Sequence, residues 1–180
     1  MNAPLNEKTI AFLATDGVEQ IELTRPWKDL QGAGANLHLV TLEKGEITAY
    51  HHLDEAHSFE SDKVVNEVTA NDYDALVLPG GVANPDALRM NEDAVSFVKH
   101  FFNSQKPVAA ICHAPWLLIE AGVLKGKTLT SFPSLQTDIR NAGGTWVDKA
   151  VSDDDGLITS RSPDDLDAFC ARIIEVLSPV

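Results

Sequence analysis

The chain of 180 residues has only two cysteines, Cys112 and Cys170, and neither sits in a Cys-x-x-Cys or Cys/His pattern with zinc spacing. That excludes a disulfide framework and a structural zinc site, and it fits a reducing cytoplasm. Basic residues are also scarce: 14 Lys and Arg stand against 27 Asp and Glu, a formal net charge of −13. Such a surface repels phosphate backbones and anionic lipid, so neither nucleic acid nor a membrane is an expected partner. No apolar run approaches the roughly 20 residues of a spanning helix, and no basic flank leads into a long apolar stretch near the N-terminus. The expectation is a soluble, unexported protein. Repeats and low-complexity tracts are missing too, and with 44% apolar residues the chain is long enough to bury one sizeable core, so one domain over residues 1–180 is expected.

What the chain does carry is an alternation of short apolar runs with amphipathic stretches. Thr9 to Ala14 (TIAFLA) reads as a buried strand closed by the turn TDG. Glu19 to Leu30 has the apolar spacing of a helix that stops at QGAG, with Pro26 inside it as a kink or a fresh first turn. Asn36 to Leu42 alternates as a strand, and EKGEITA reads as its hairpin extension. Tyr50 to Asn71 is polar, with a short strand around Val64 to Val68. Within it His51, His52 and His57 of YHHLDEAH match no helical ligand spacing, so a solvated loop without metal is expected. Asp74 to Leu78 and Lys106 to Ile111 read as further buried strands, and Glu92 to Phe102 and Trp116 to Glu120 as helices. LKGKTLTS then gives a strand, SLQTDIRNAGG a helix, and two short β runs follow. The last helix puts Leu166, Phe169, Cys170, Ile173 and Leu177 on one stripe behind a capping box of Ser162 and Asp165, with Pro163 in its first turn. Cys170 is therefore read as a core residue. Strands alternating with helices predict an α/β sandwich around a mainly parallel sheet.

In such sheets ligands bind beyond the carboxyl ends of the strands. Three strand ends deliver unusual residues: Asp16, Gly17 and Glu19 after the first, Pro79, Gly80 and Gly81 after DALVL, and Cys112 and His113 after PVAAI. Cys112 is flanked two residues away on each side by Ala110 and Ala114, the small residues a tight strand–turn–helix elbow requires, and Pro115 suits the first helical turn. At such an elbow a thiol lies near free amides and a helix N-terminus, which lower its pKa, so a thiolate at neutral pH is expected; the alternative is a small buried hydrophobe ending a strand. Gly80 and Gly81 are either an ordinary turn or an amide cradle for an oxyanion. Glu19 and Glu22 share one helix face, and spacing does not decide which faces the thiol. Neighbours at an elbow tend to point apart, which places His113 poorly as a base for Cys112. Trp116 either lines the pocket or packs in the core.

These residues carry a resemblance. AICHAPWLLIEAGVLKGKTLTS resembles the A-I-C-H-G-P-x-L-L signature of the ThiJ/PfpI superfamily, in its PfpI-type intracellular peptidase branch of the class I glutamine amidotransferase-like fold. DGVEQIELTRP, YDALVLPGG and NAGGTWVDKAVSDDDGLITSRSPDDLDAF are similar to the same branch, so the likeness runs over nearly the whole chain. It implies a flavodoxin-like three-layer sandwich with a nucleophile elbow and chemistry without a cofactor. It makes Cys112 the nucleophile, Glu19 the acid whose protonated form holds the thiolate, and Gly81 and His113 the amide donors to an oxyanion, with Gly80, Ala114 and Trp116 shaping the substrate site. It also implies that Asp86 reaches His113 across a homodimer interface. The chain departs from the pattern at Ala114, where glycine is usual, and at Trp116, where glutamine is usual. The late segment TSRSPDDL lacks the His-x-Glu of true glutamine amidotransferases. The implied activities are peptide hydrolysis, or a deglycase or glyoxalase reaction on methylglyoxal-type carbonyls with a stress-protective role. The competing readings are an oxidation sensor or chaperone acting through Cys112, and an inactive amidotransferase-like module.

Overall fold

The computed structural model describes residues 3–179. In chain order the strands and helices are β1 (Thr9–Leu13), β2 (Val18–Glu19), α1 (Gln20–Gly32), β3 (Asn36–Thr41), β4 (Glu46–His51), β5 (Asp54–Glu60), β6 (Lys63–Val64), β7 (Ala75–Leu78), α2 (Ala83–Leu88), α3 (Glu92–Asn103), β8 (Val108–Ile111), α4 (Pro115–Glu120), β9 (Thr128–Leu129), α5 (Gln136–Asn141), β10 (Thr145–Trp146), β11 (Ser152–Asp154), β12 (Leu157–Ser160) and α6 (Leu166–Leu177).

Seven strands form the central sheet in the order β11-β12-β8-β7-β1-β3-β6. All pairs are parallel except β11 with β12, which closes one edge antiparallel. Alternate residues of each strand face opposite layers. Ile10, Phe12, Val77, Ala109, Ile111 and Ile158 pack with Leu23 and Leu30 of α1 and Leu166, Phe169, Cys170, Ile173 and Leu177 of α6. Ala11, Leu13, Leu76, Leu78, Val108 and Ala110 pack on the other face with Phe97, Val98 and Phe101 of α3 and Leu117 and Leu118 of α4. Burial on both faces is why β1, β7 and β8 read as unbroken apolar runs. The result is a three-layer α/β sandwich.

From β1 the chain moves to β3 on one side and then to β7 on the other, so β1 and β7 flank a topological switch point. The loops after β1, β7 and β8 meet there. Pro26 is accommodated inside α1, where it removes the hydrogen bond its N–H would give to the carbonyl of Glu22.

Four local expectations are corrected. EKGEITA does not extend β3: β4 leaves the central sheet, pairs antiparallel with β5 and lies parallel to β2. The YHHLDEAH segment is accordingly a β-hairpin rather than a loop, turning at His52, whose φ is +57°. Its polar residues gave no apolar signal because nearly all of β5 faces outward. The strand expected at Val64 to Val68 is the two-residue β6, followed by a single 3₁₀ turn. At α6, Ser162 makes no side-chain cap. Asp165 accepts instead from the backbone N–H of Arg161 at 3.0 Å and pairs with both ends of its guanidinium at 2.8 and 2.9 Å, which holds the Asp165 carboxyl below its ordinary pKa.

Candidate active site

Cys112 closes β8 with φ at +63°, the left-handed region a side chain enters only under constraint. The constraint is visible on both sides. The Cys112 N–H donates to the carbonyl of Ser160 at 3.1 Å, and its carbonyl accepts from the N–H of Phe132 at 2.9 Å. Ala114, fully enclosed, begins the return, donating to the carbonyl of Ile111 at 3.1 Å. The elbow is thus stitched to β12 and to the segment after β9.

Gly80 lies against this elbow. A β-carbon there would stand 2.6 Å from Glu22 Oε1 and from the Ile111 carbonyl, and 2.8 Å from the Cys112 Cβ, so the close approach requires glycine. Gly81 has φ of +81°, which turns the chain so that its N–H, with that of His113, lies near the Cys112 sulfur and favours its ionised form. Asn84, fully buried, holds the turn: its amide donates to the carbonyls of Pro79 at 3.0 Å and Gly80 at 2.9 Å, and its Oδ1 accepts from the N–H of Thr15 at 2.8 Å. One side chain therefore ties the loop after β1 to the loop after β7.

The acid that faces the thiol is Glu22, which corrects the assignment of that position to Glu19. Glu22 is fully buried, and its Oε1 accepts from the Gly80 N–H at 3.0 Å. Its carboxyl and the Cys112 thiol act on each other side chain to side chain, at an approach looser than a formed hydrogen bond, since Oε2 is buried without a partner of hydrogen-bond geometry. Burial, opposed by the Gly80 N–H and reinforced by the nearby Glu19 charge, pushes the Glu22 carboxyl up to about 8. Glu19 closes the two-residue β2 and points the other way: its carboxylate accepts from the backbone N–H of His52 at 3.1 and 3.4 Å. The physical reason is register. β2 ends in extended backbone at Glu19, and α1 starts one residue later, so Glu22 alone is carried back beneath the Gly80 turn.

The thiol differs from its expected state as well. Burial, then the charge of Glu22, raise the Cys112 pKa, and the Gly81 and His113 amides lower it only in part. α4 has six residues, too few for its dipole to offset that burial. The balance of these effects disfavours a resting thiolate.

His113 reverses another expectation. Its Nδ1 lies 3.1 Å from Cys112 Sγ, within hydrogen-bond reach despite the adjacent position in the chain. The ring is stacked on Phe132 at 4.6 Å, meets the edge of Trp116 at 5.1 Å, and has Ser134 Oγ 3.4 Å from its Nε2. Burial lowers the His113 pKa, so the ring is neutral and able to accept a proton. Trp116 is a wall of this space: its indole N–H donates to Asp138 at 3.1 Å and Arg89 lies over its ring at 5.7 Å. Asp86 is exposed on α2, and among the described residues no hydrogen bond joins it to His113.

Sequence pattern singles out neither Asn84 nor the pair Phe132 and Ser134. The latter follow β9, and asking of that strand end what was asked of the other three would have found them. Asn84 offers no signal, because only its burial distinguishes it. His57 pairs with Gln20 at the base of the hairpin, and among the described residues no group of three His, Cys, Asp or Glu side chains is placed to hold a metal. No helix among those residues is long and apolar enough to cross a membrane.

Comparison with known proteins shows the family of this chain. Residues 8–176 match the model of the DJ-1/PfpI family. The chain is 40% identical over 168 residues to Deglycase PfpI of Pyrococcus furiosus, covering 93% of this chain and 98% of that protein. It is 42% identical over 171 residues to Protein/nucleic acid deglycase 2 of Escherichia coli, covering 94% and 98%. Among solved structures, the two-domain protein with DJ-1/ThiJ/PfpI-like and ferritin-like domains from Anabaena variabilis superposes with a TM-score of 0.91 at 35% identity, over 95% of this chain and 48% of that one.

Proposed function

The chain belongs to the DJ-1/PfpI family, and on that premise we propose that it is a cysteine hydrolase of small reactive carbonyl compounds, a deglycase acting on α-oxoaldehydes of the methylglyoxal type and on their adducts. The observation that carries this reading is the enclosure of Cys112 Sγ by one buried carboxyl, one neutral imidazole and two backbone N–H groups. The names of the two deglycase relatives support the substrate class. So does the 8% exposure of Cys112, which admits a compact aldehyde more readily than a polypeptide strand.

In this proposal the Cys112 sulfur attacks the aldehyde carbon, a C–S bond forms, and the carbonyl electron pair moves onto oxygen. The thiol proton passes to Nδ1 of His113. The Gly81 and His113 amides hold the developing oxyanion, and the protonated Glu22 carboxyl delivers its proton to give a hemithioacetal. Glu22, now a carboxylate, takes the hydrogen from that carbon as a proton and returns it to the neighbouring carbonyl carbon, leaving a 2-hydroxy thioester. Water cleaves the thioester to a 2-hydroxy acid: its oxygen joins the acyl carbon, its proton restores the Glu22 carboxyl, and the departing sulfur takes the proton held by His113, which regenerates the thiol and the neutral imidazole. The oxidation of one carbon is balanced by reduction of its neighbour, so no cofactor enters. We extend the proposal to a homodimer in which Asp86 of a second copy lies beside His113.

The test is consumption of methylglyoxal, and release of a free amine from its methylglyoxal adduct, by wild type and Cys112→Ala. Wild type is expected to turn over and the variant to fall to the uncatalysed rate; full turnover by Cys112→Ala would overturn the reading. A fluorogenic peptide in parallel tests peptide hydrolysis, and gel filtration tests the second copy, since a strict monomer cannot bring another Asp86 to His113.

A further inference from the structure

Glu19 has no part in the proposed chemistry, yet it sits at the junction of three elements of the site. Its carboxylate receives the His52 N–H at the turn of the β4–β5 hairpin, where φ of +57° makes the backbone conformation costly without a fixed partner. Its own N–H points to the carbonyl of Gly80 at 3.4 Å, the same carbonyl that Asn84 holds at 2.9 Å. A β-carbon at Gly81 would stand 2.8 Å from the Glu19 nitrogen, so backbone packs on backbone at this point. Val18 and Glu19 pair with Ala49 and Tyr50 of β4, which carries the hairpin to the same place. The side chain is 9% exposed.

We propose that Glu19 is a positioning residue: its carboxylate fastens the β4–β5 hairpin and its backbone fixes the Gly80–Gly81 turn, and together these hold Glu22 in place against Cys112. This rests on the reading of Cys112 and Glu22 given above. Charge supports it. Two carboxyl groups three residues apart, one ending β2 and the other in the first turn of α1, resist ionising together, so the charge of Glu19 helps Glu22 keep its proton. The titratable groups that act on Glu22 are Glu19, from the end of β2, and Cys112, from the β8 elbow; the Gly80 and Gly81 amides oppose them.

The experiment separates the two contributions with Glu19→Gln, which keeps an acceptor oxygen for His52 and loses the charge, and Glu19→Ala, which loses both. Hydrogen exchange of the His52 amide reads the hairpin. Carbon-13 NMR titration of the Glu22 carboxyl, with the pH dependence of Cys112 alkylation by iodoacetamide, reads the site. The expected result is a Glu22 midpoint shifted downward in Glu19→Gln with His52 still protected, and in Glu19→Ala a lowered midpoint with His52 protection lost. A Glu22 midpoint and alkylation profile unchanged from wild type in Glu19→Gln would overturn the inference, even if melting falls. Should Glu19→Ala not fold, Glu19→Gln carries the test alone. Failure of the parent reading is distinct, since it appears as full turnover by Cys112→Ala while Glu19 is native.

Discussion

Glu22→Gln tests how many protons the Cys112–Glu22 pair holds. Burial raises Glu22 from 4.5 in the unfolded chain to about 8, a difference worth about 5 kcal/mol. Below pH 4.5 the carboxyl is protonated whether the chain is folded or not, and stability carries no penalty. Above it the unfolded carboxyl ionises while the folded one does not, so stability falls with rising pH by about 1.4 kcal/mol per unit until about pH 8. His113 has the opposite sign, because its lowered pKa makes stability rise with pH up to its unfolded value near 6.5. The slope that belongs to Glu22 is therefore the difference between wild type and Glu22→Gln, a neutral isostere that keeps a donor beside the thiol. Urea denaturation at each unit from pH 5 to pH 8 measures it. With an m-value of about 3 kcal/mol/M, the midpoint difference between the two proteins should grow by roughly 1.4 M of urea across that window. The variant should be the more stable protein at pH 8, yet lose turnover, because Gln cannot give up and retake a proton. Cys112→Ala should retain the wild-type slope. Parallel curves for wild type and Glu22→Gln would refute the reasoning. They would mean that the folded pair holds one proton, as the unfolded chain does, either as thiolate with carboxylic acid or as thiol with carboxylate.

Two further outcomes follow from contacts at the elbow. Gly80→Ala places a methyl group against Glu22 Oε1, the Ile111 carbonyl and the Cys112 Cβ, so it should cost about 1–3 kcal/mol in chemical denaturation and suppress turnover by displacing Glu22; native stability would show that the turn yields freely. Asn84→Ala leaves the Thr15 N–H and the Pro79 carbonyl without their side-chain partner and should cost about 1–3 kcal/mol for each group left unsatisfied, with activity lost together with stability; a fully active variant of native stability would show that the two loops hold without it.

The central fold was legible because its strands are buried on both faces. TIAFL, ALVL and VAAI carry no polar residue beyond the leading Thr9, and a run of that kind next to a helical pattern admits few other architectures. The β4–β5 hairpin was not legible for the converse reason. It leaves the sheet, and its outer strand β5 is mostly solvated, with no alternation of apolar with polar residues to mark it. The cap of α6 failed on a longer-range effect: Asp165 had the spacing of a capping box, but a guanidinium four residues before it offered two charged hydrogen bonds where the Ser162 N–H offered one neutral one.

Within the site, the elbow and the two glycines were readable because their residue types answer to backbone geometry. The acid was not, because choosing between Glu19 and Glu22 requires knowing the residue at which extended backbone gives way to helix. That point is set by the pairing of Val18 and Glu19 with β4, a strand legible in the sequence but expected beside β3 instead. A strand given the wrong partner thus became a misassigned acid. The protonation state of Cys112 failed separately: amides and a helix N-terminus are local and can be counted along the chain, whereas burial depends on Phe132, Ser160 and Gly80, which come from elsewhere in the chain. Because burial raises the thiol and the carboxyl together, the proposed reaction makes its thiolate by proton transfer rather than holding it at rest. The neutral imidazole 3.1 Å from the sulfur is the group placed to receive that proton.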